Sequence, residues 1–199
     1  AMVSYNDTSY DVTDIGQYAF RDCTGLKSVK IPNSVTYIGM SAFSSCTGLE
    51  SVNIPAIIAS GNNLFYGCTG LKRVEVNCSS LSDFFKGNTS IEELILGDNV
   101  KSISNNALSG CTGLTSITIP NSVTYIGKSA FQACHGLTNV IIGNNVATIG
   151  SGAFRNCGGL TNIEIPNSVT RIMNYAFSGC SSLTNATIGN SVKFIESSV

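Results

Sequence analysis

Charged residues are scarce in this chain of 199 residues, of which only 12% are Asp, Glu, Lys or Arg. The 11 basic residues are balanced by 12 acidic ones, so the net charge is -1. Such a chain lacks the basic patch that binds nucleic acid or an anionic membrane surface. No apolar run approaches the roughly 18 residues of a membrane-spanning helix. The first residues, AMVSYNDTSYD, lack the pattern of a signal peptide, so we expect that one is either absent or already removed. We therefore expect neither a nucleic-acid partner nor membrane insertion of this segment.

Histidine is almost absent as well, since His135 is the single histidine of the chain. A Cys–His or Ser–His pair could use only this residue, and no carboxylate is placed to orient it. The sequence contains neither a GxGxxG motif nor a P-loop. Asp7, Asp11 and Asp14 lack the alternating ligands and central glycine of a calcium loop, and we interpret them as solvated surface. The sequence therefore predicts a protein that is not an enzyme and has no cofactor and no metal site.

A short repeat accounts for nearly the whole chain. Two positions mark it, the aromatic residue of an Ala-Phe pair and the leucine of a Thr-Gly-Leu triplet. The aromatic column contains Phe20, Phe43, Phe65, Phe85, Leu108, Phe131, Phe154 and Phe177, and the leucine column contains Leu26, Leu49, Leu71, Ile91, Leu114, Leu137, Leu160 and Leu183. Both columns advance by 23, 22, 20, 23, 23, 23 and 23 residues, which defines eight repeats. We expect one domain over residues 1–199, with irregular third and fourth repeats at about 61–100.

Each repeat combines the pattern of a strand with that of a short turn. Leu114 to Pro120 alternates apolar and polar residues, which is typical of a half-buried strand ended by proline. Val123, Ile126, Ala130 and Phe131 follow at spacings that favour about one turn of α- or 3₁₀-helix. Because so small a unit cannot bury its own apolar face, the units must stack. The sequence predicts an α/β fold, a right-handed solenoid with parallel strands on its concave side and short helical turns on its convex side.

The repeat unit also resembles that of a known family. The pattern C-x-x-L-x-x-V-x-I-P-N-S-V-x-x-I-G-x-x-A-F, present from Cys23 to Phe43, is similar to the leucine-rich repeat of BspA-like bacterial surface proteins. The resemblance extends over about residues 12–195 and is weaker in the third and fourth repeats. It implies a secreted or cell-surface protein, of a kind that adheres to host or matrix proteins.

Seven of the eight cysteines occupy one column of the repeat. They are Cys23, Cys46, Cys68, Cys111, Cys134, Cys157 and Cys180, and Asn88 takes the remaining position. Stacked equivalents lie about 5 Å apart with parallel side chains, whereas a disulfide needs Cβ atoms about 3.8 Å apart and turned toward each other. Two interpretations stay open: buried free thiols that donate to a turn carbonyl, as Asn could, or some disulfide pairing. Cys78 lies off the column, as a loop or core thiol or as an exposed reactive one.

The outward side chains of the strands form two further columns. The first outer column contains Ser28, Ser51, Arg73, Glu93, Ser116, Asn139, Asn162 and Asn185, and the second contains Lys30, Asn53, Glu75, Ile95, Thr118, Ile141, Glu164 and Thr187. Nine of the 23 charged residues fall within residues 72–101, where the repeat is also shortened. This segment is either a degenerate, solvated part of the array or a ligand patch. In the second case Arg73, Glu75, Glu93 and Ile95 are the candidate protein-binding residues.

Two functions remain after these exclusions. The first is an extracellular, adhesin-like module that binds a protein, such as a host matrix protein or another surface protein, on its concave sheet. The alternative is a structural spacer that holds another domain away from the cell surface and has no ligand of its own. Since repeat arrays need polar caps and this sequence stops at Val199 without one, we expect a piece of a longer surface protein or a last strand covered by a neighbour.

Overall fold

The computed structural model describes residues 2–5, 8–56, 59–60 and 62–198, which form an antiparallel hairpin followed by a parallel β-solenoid. The hairpin pairs β1 (Met2–Tyr5) with β2 (Thr8–Asp11). Nearly every coil then contains a longer and a shorter strand, called here the first and the second strands. The first strands are β4 (Ser28–Lys30), β6 (Ser51–Ile54), β8 (Arg73–Val76), β10 (Glu93–Leu96), β12 (Ser116–Thr118), β14 (Asn139–Ile141), β16 (Asn162–Ile165) and β18 (Asn185–Ile188). The second strands are β3 (Asp14–Ile15), β5 (Tyr37–Ile38), β7 (Ala59–Ser60), β9 (Ser80–Leu81), β11 (Ser102–Ile103), β13 (Tyr125–Ile126), β15 (Thr148–Ile149), β17 (Arg171–Ile172) and β19 (Phe194–Ile195).

The first strands confirm the alternation read from the sequence. Along β8 the residues alternate between exposed and buried, so Val74 and Val76 face the core while the residues between them face solvent. Five of the seven neighbouring pairs of first strands are hydrogen-bonded in parallel and in repeat register; Arg73, for example, stands opposite Glu93 on one side and Ser51 on the other. The eight first strands lie side by side through the array, because β10 also lies against β12 and β14 against β16. The predicted parallel-strand solenoid of eight repeats is therefore confirmed.

The predicted helical turns are nearly missing from the structure. Among the described residues, the one helical segment is a 3₁₀ turn at Asp83–Phe85. Elsewhere a second strand is followed by consecutive tight turns with two residues at positive φ, such as Asn106 at +59° and Gly110 at +79°. A left-handed residue every fourth position interrupts an α-helix, which explains why the apolar spacing alone misleads.

The backbone hydrogen bonds show what replaces the helix. In residues 104–111, the amides of Asn106, Leu108 and Gly110 donate to carbonyls of the next coil at 2.7–2.9 Å. The amides between them close turns within their own coil. A helix would satisfy all of these amides internally, whereas this pattern uses every second one to join neighbouring coils. The turns therefore stack as the strands do.

A ladder of aromatic rings from the aromatic column fills the core beneath these turns. The rings of Phe131 and Phe154 are parallel within 1° with centroids 5.0 Å apart, and Phe177 continues the stack at 5.4 Å. A second stack joins Phe20, Phe43, Phe65 and Phe85 at spacings of 5.2–5.5 Å. Leu108, fully buried, separates the two stacks. Most of these rings are buried between two neighbours, so each coil depends on the next for its core.

The shortened repeats mark an interruption in the array. The second strands form one sheet of three strands, β3, β5 and β7, and another of six that begins at β9. No strand pairing joins β7 to β9 among the described residues. The first strands β6, β8 and β10 stay paired across the same coils. The missing pairing thus lies on the side of the second strands, while the side of the first strands stays paired.

Removal of one ring of the ladder should test how far stability depends on stacking. Phe154 is fully buried between two rings, whereas Phe20 is 42% exposed and has one ring neighbour. We expect Phe154→Ala to lower the free energy of unfolding by about 3–5 kcal/mol and Phe20→Ala by less than half as much. Urea unfolding followed by circular dichroism measures both. Equal losses would show that burial between two rings is unimportant.

Local opening should be easiest at the interruption. Coils in a nearest-neighbour array open first where their contacts with neighbours are weakest. We therefore expect amide hydrogen exchange to be faster in residues 77–91 than in residues 112–142, where the second strand β13 pairs with a neighbour on each side. Hydrogen exchange followed by mass spectrometry compares the two segments in the same sample. Uniform protection would contradict the prediction.

Candidate functional site

The outward side chains of the first strands form a continuous polar face, called here the first-strand face. Its members are the two outer columns, and in β8, β10, β12, β14, β16 and β18 all of them are exposed. The observed registers confirm that each outer column is a line of neighbours, for example Glu75 opposite Ile95 and Asn162 opposite Asn185. Three depressions lie along the face: one of about 350 Å³ over β4, β6 and β8, one of about 370 Å³ beside Asn53, Glu75 and Ile95, and one of about 820 Å³ over β12 to β18. The face therefore has the room and the exposure that a contact surface needs.

The structure brings the four predicted site residues together. The Arg73 guanidinium donates from Nη2 to Glu75 Oε1 at 2.9 Å and from Nη1 to Glu93 Oε2. These hydrogen bonds, with that to Glu75 the stronger influence, raise the pKa of Arg73. Ile95 stands in register with Glu75 and is 39% exposed. The cluster thus presents a paired cation, two carboxylates and an apolar side chain to solvent.

The same contacts give the charges a role within the array. Arg73 and Glu93 belong to neighbouring coils, as do Lys72 and Glu92, whose ion pair measures 3.1 Å. A similar pair joins Lys27 to Glu50 at 3.1 Å. Exposed ion pairs of this kind contribute little to stability, because water and salt screen them. Their chief effect is to neutralise charge between coils, so the patch is less charged than its composition suggests.

The cysteine column joins each coil to the one before it. The thiols of Cys111, Cys134 and Cys157 donate to carbonyls of the preceding coil, those of Phe85, Leu108 and Phe131, at 3.1–3.2 Å. All eight cysteines are free thiols. The interpretation of buried thiols that donate to a turn carbonyl is confirmed for these positions.

At the shortened coil, the Asn88 side chain replaces the thiol as the donor to a carbonyl of the preceding coil. It is buried, and its Nδ2 donates to the Cys68 carbonyl at 3.1 Å, while its Oδ1 accepts from the amides of Ser90 and Ile91 at 3.0 and 3.2 Å. The amide is longer than a thiol, so it reaches an acceptor that lies 20 residues back rather than 26. The predicted substitution of a hydrogen-bonding amide for the thiol is confirmed.

The thiols have little chemical reactivity in this setting. Burial raises the pKa of Cys111 and of Cys134 to about 12, and that of Cys78 to about 11. Cys78 is buried and donates to the Ser80 carbonyl at 3.1 Å, so it is a core thiol and not an exposed reactive one. Cys23 differs from the prediction of a buried column: it is exposed, because no preceding coil of the repeat covers it.

Among the described residues, the others considered for catalysis or metal binding do not form a site. His135 is an exposed turn residue, and Asp11 and Asp14 are exposed, while Asp7 lies outside the described residues. In the part of the chain that the structure describes, no group of three or more His, Cys, Asp or Glu side chains is arranged to hold a metal ion. Over the same residues, no helix is long and apolar enough to cross a bilayer.

The largest depression is the feature that sequence reasoning missed. It lies over the last four first strands, next to Ile141, which is 54% exposed, and the three stacked amides Asn139, Asn162 and Asn185. These residues belong to the outer columns, but the charged residues concentrate in residues 72–101, which predicts a ligand patch there instead. An isoleucine among polar neighbours in an outer column was the available signal.

Comparison with known proteins identifies the repeat. A family model described as the BspA type leucine rich repeat region (6 copies) matches residues 3–115 and 80–199. A leucine-rich repeat protein from Bacteroides ovatus is 33% identical over 98% of this chain, which spans 46% of that protein, with a TM-score of 0.70. The leucine rich repeat protein of T. pallidum is 26% identical, with coverages of 92% and 76% and a TM-score of 0.61. The pneumococcal vaccine antigen PcpA, 17% identical with coverages of 96% and 60% and a TM-score of 0.54, shares the fold. No curated protein matches this chain.

The thiols provide a direct test of the column. Since the thiolate is the reacting form and burial opposes it, we expect about one equivalent of a thiol reagent to react in the native state, at Cys23. After denaturation without reductant, the titre should rise to about eight, the number of cysteines. Titration with Ellman's reagent measures both values, and Cys23→Ser should abolish the native reaction. A denatured titre of about four or fewer would reveal disulfides instead.

Proposed function

Because the chain belongs to the BspA-type leucine-rich repeat family, we propose that it is an adhesin-like, protein-binding module of a bacterial cell surface that uses its first-strand face. Leucine-rich repeats commonly mediate protein interactions, and repeat proteins of this family are generally not enzymes. The fold and family therefore indicate an interaction or structural module. Secretion or display on the cell surface, and adhesion to a host matrix protein or another surface protein, are our proposal.

One observation carries this function, the exposure of an entire sheet face. Both outer columns of β8 and β10 are open to solvent, although their inner neighbours, such as Val74 and Leu94, are buried. A face that no other described part of the chain covers is available to a partner along the length of the array. Its small polar side chains cost little to desolvate, because few of them carry a charge.

Within this face, Arg73, Glu75, Glu93 and Ile95 are the proposed contact residues. They lie on two paired strands, about 4.8 Å apart, so one partner patch can reach all four. Arginine is enriched among interface hot spots, and the exposed part of Ile95 favours an apolar contact. The paired guanidinium is held in one orientation, which reduces the entropy lost on binding.

A structural spacer is the second candidate, and the ion pairs favour it. Arg73 is already satisfied by Glu75 and Glu93, so a partner must compete with contacts that the array makes with itself. If these charges only neutralise one another between coils, the patch needs no ligand. The two functions differ in one respect: a spacer is indifferent to the pattern of charge on this face.

Exchange of the paired charges separates the two functions. The double variant Arg73→Glu with Glu93→Arg retains an ion pair between the coils but reverses the pattern that a partner meets. We expect unchanged folding, because both positions are exposed, and binding weaker by roughly 1–3 kcal/mol. Immobilised extracellular matrix and serum proteins supply the partner, and surface plasmon resonance measures the Kd.

A matched control exchanges another pair of charges between coils. Arg171 and Glu196 form an ion pair at 3.4 Å outside the first-strand face, and Arg171→Glu with Glu196→Arg leaves the net charge unchanged. We expect this control to bind as the wild type does. Equal loss from both exchanges, or no loss from either, would refute the proposed contact residues and favour the spacer.

A further inference from the structure

The largest depression of the first-strand face has its own chemistry. Its volume is about 820 Å³, and its walls include Asn139, Ile141, Asn162, Glu164 and Asn185. We call these five residues the amide site. They lie on β14, β16 and β18, two strands or more from Glu93 and Ile95 of the charged cluster. The amide site is thus a separate part of the same face.

The amide side chains are arranged to bind a polymer backbone. Asn185 donates from Nδ2 to Asn162 Oδ1 at 2.8 Å, and Asn162 donates to Thr161 Oγ1 at 2.9 Å. These bonds orient the two amides and leave the Asn185 oxygen free to accept. Asn139 makes no side-chain hydrogen bond with the described residues, so its donors and acceptor are available. A row of amides can both donate to carbonyls and accept from N–H groups, which is what a peptide backbone offers.

The charge of the site is negative and unpaired. Glu164 is exposed and takes part in no ion pair with the described residues, unlike Glu75 and Glu93. The residues that line the depression include no Lys, Arg or His in the described part of the chain. Asp98 also lines the depression, and the Lys101 amine donates to its backbone carbonyl at 3.3 Å rather than to its carboxylate. Of these two acidic residues, Glu164 is the one in an outer column of the first strands. A basic side chain of a partner would form an ion pair with Glu164.

Ile141 supplies an apolar contact beside this carboxylate. It is 54% exposed, and its neighbours in the second outer column, Thr118 and Glu164, are both polar. An apolar side chain of a partner would remove it from water, which is favourable in proportion to the area buried. The strands of Ile141 and Glu164 lie against each other and both side chains line the same depression, so the apolar contact and the carboxylate are within reach of one short segment.

We propose that the amide site binds an extended protein segment with the pattern apolar-x-Lys/Arg. Residues i and i+2 of such a segment face the same side about 6.6 Å apart, and a long basic side chain spans the remaining offset between Ile141 and Glu164. The segment runs across β14, β16 and β18, so about four of its residues cover the site. The backbone of the segment then lies along the row of amides. This inference rests on the proposed function and specifies the chemistry of the partner.

A sugar is the less suitable ligand for this site. Hydroxyls could bond to the amides, but the depression has no aromatic ring among its described lining on which a sugar ring could stack. The exposed isoleucine and the single unpaired carboxylate match an apolar and a basic side chain better than a neutral polyol. We therefore commit to a peptide segment and treat glycan binding as an outcome that would overturn the inference.

A random heptapeptide library displayed on phage tests the pattern directly. The wild-type chain should enrich sequences with an apolar residue two positions before Lys or Arg. The double variant Ile141→Ser with Glu164→Gln should fold normally, because both side chains are exposed, and should lose this enrichment. A synthetic peptide from the selection should bind the variant at least ten-fold more weakly, as measured by calorimetry. Circular dichroism and urea unfolding verify that the variant is folded.

The outcomes distinguish this inference from the function on which it rests. The Arg171→Glu, Glu196→Arg variant, whose changes lie outside the first-strand face, should select the same peptides as the wild type. The inference is overturned if the selected peptides lack a basic residue or share no consensus. It is also overturned if the Ile141, Glu164 variant binds the selected peptide as tightly as the wild type does, or if the chain binds a glycan array and no peptide. If a captured protein partner responds to the Arg73, Glu93 exchange but not to the Ile141, Glu164 variant, the inference fails while the proposed function stands. If it responds to neither, both fail.

Discussion

The contact between one coil and the next is the interaction on which the rest of this molecule depends. No single coil can bury its own apolar side chains, so Phe131 is buried only because Phe154 and the neighbouring turns cover it. The same interface pairs the backbone, since the Leu108 amide donates to the Ala130 carbonyl and the Cys134 thiol returns a bond to the Leu108 carbonyl. Packing and hydrogen bonding therefore impose the same register.

Because packing inside the array sets the register of the coils, the outward side chains are free to vary. The inner residues of a first strand must fit their neighbours, but an outer residue such as Thr118 or Asn139 meets solvent and affects stacking little. Equivalent outer positions nevertheless form straight columns, because the core holds them in line. Such columns can change in chemistry from coil to coil without loss of the fold. Charge at Arg73 and amides at Asn162 are two results of this freedom.

Much of this arrangement could be predicted, because the inward and outward positions assigned in one repeat apply to all eight repeats. The inward and outward columns, the stacked rings and the role of Asn88 follow from spacing alone. The turns could not be predicted in this way. Ser129 and Ala133 adopt positive φ although neither residue type favours it, so the sequence shows an apolar spacing typical of a helix and conceals the interruption. The ion pairs of Arg73 and the largest depression depend on side-chain positions that no column specifies.

The shortened coils show which part of the array is maintained. The fourth coil has lost three residues of the regular period, and the second strands β7 and β9 on either side of the irregular segment do not pair within the described residues. The first strands nevertheless keep their register, with Arg73 opposite Glu93, and Asn88 replaces the thiol bond that the shorter path would break. The fourth coil is shortened, but β8 and β10 stay paired and the Asn88 hydrogen bond is kept, so the first-strand face is continuous across the shortened coils. This continuity is what a surface that binds along its length requires, whereas a spacer needs only stacked coils.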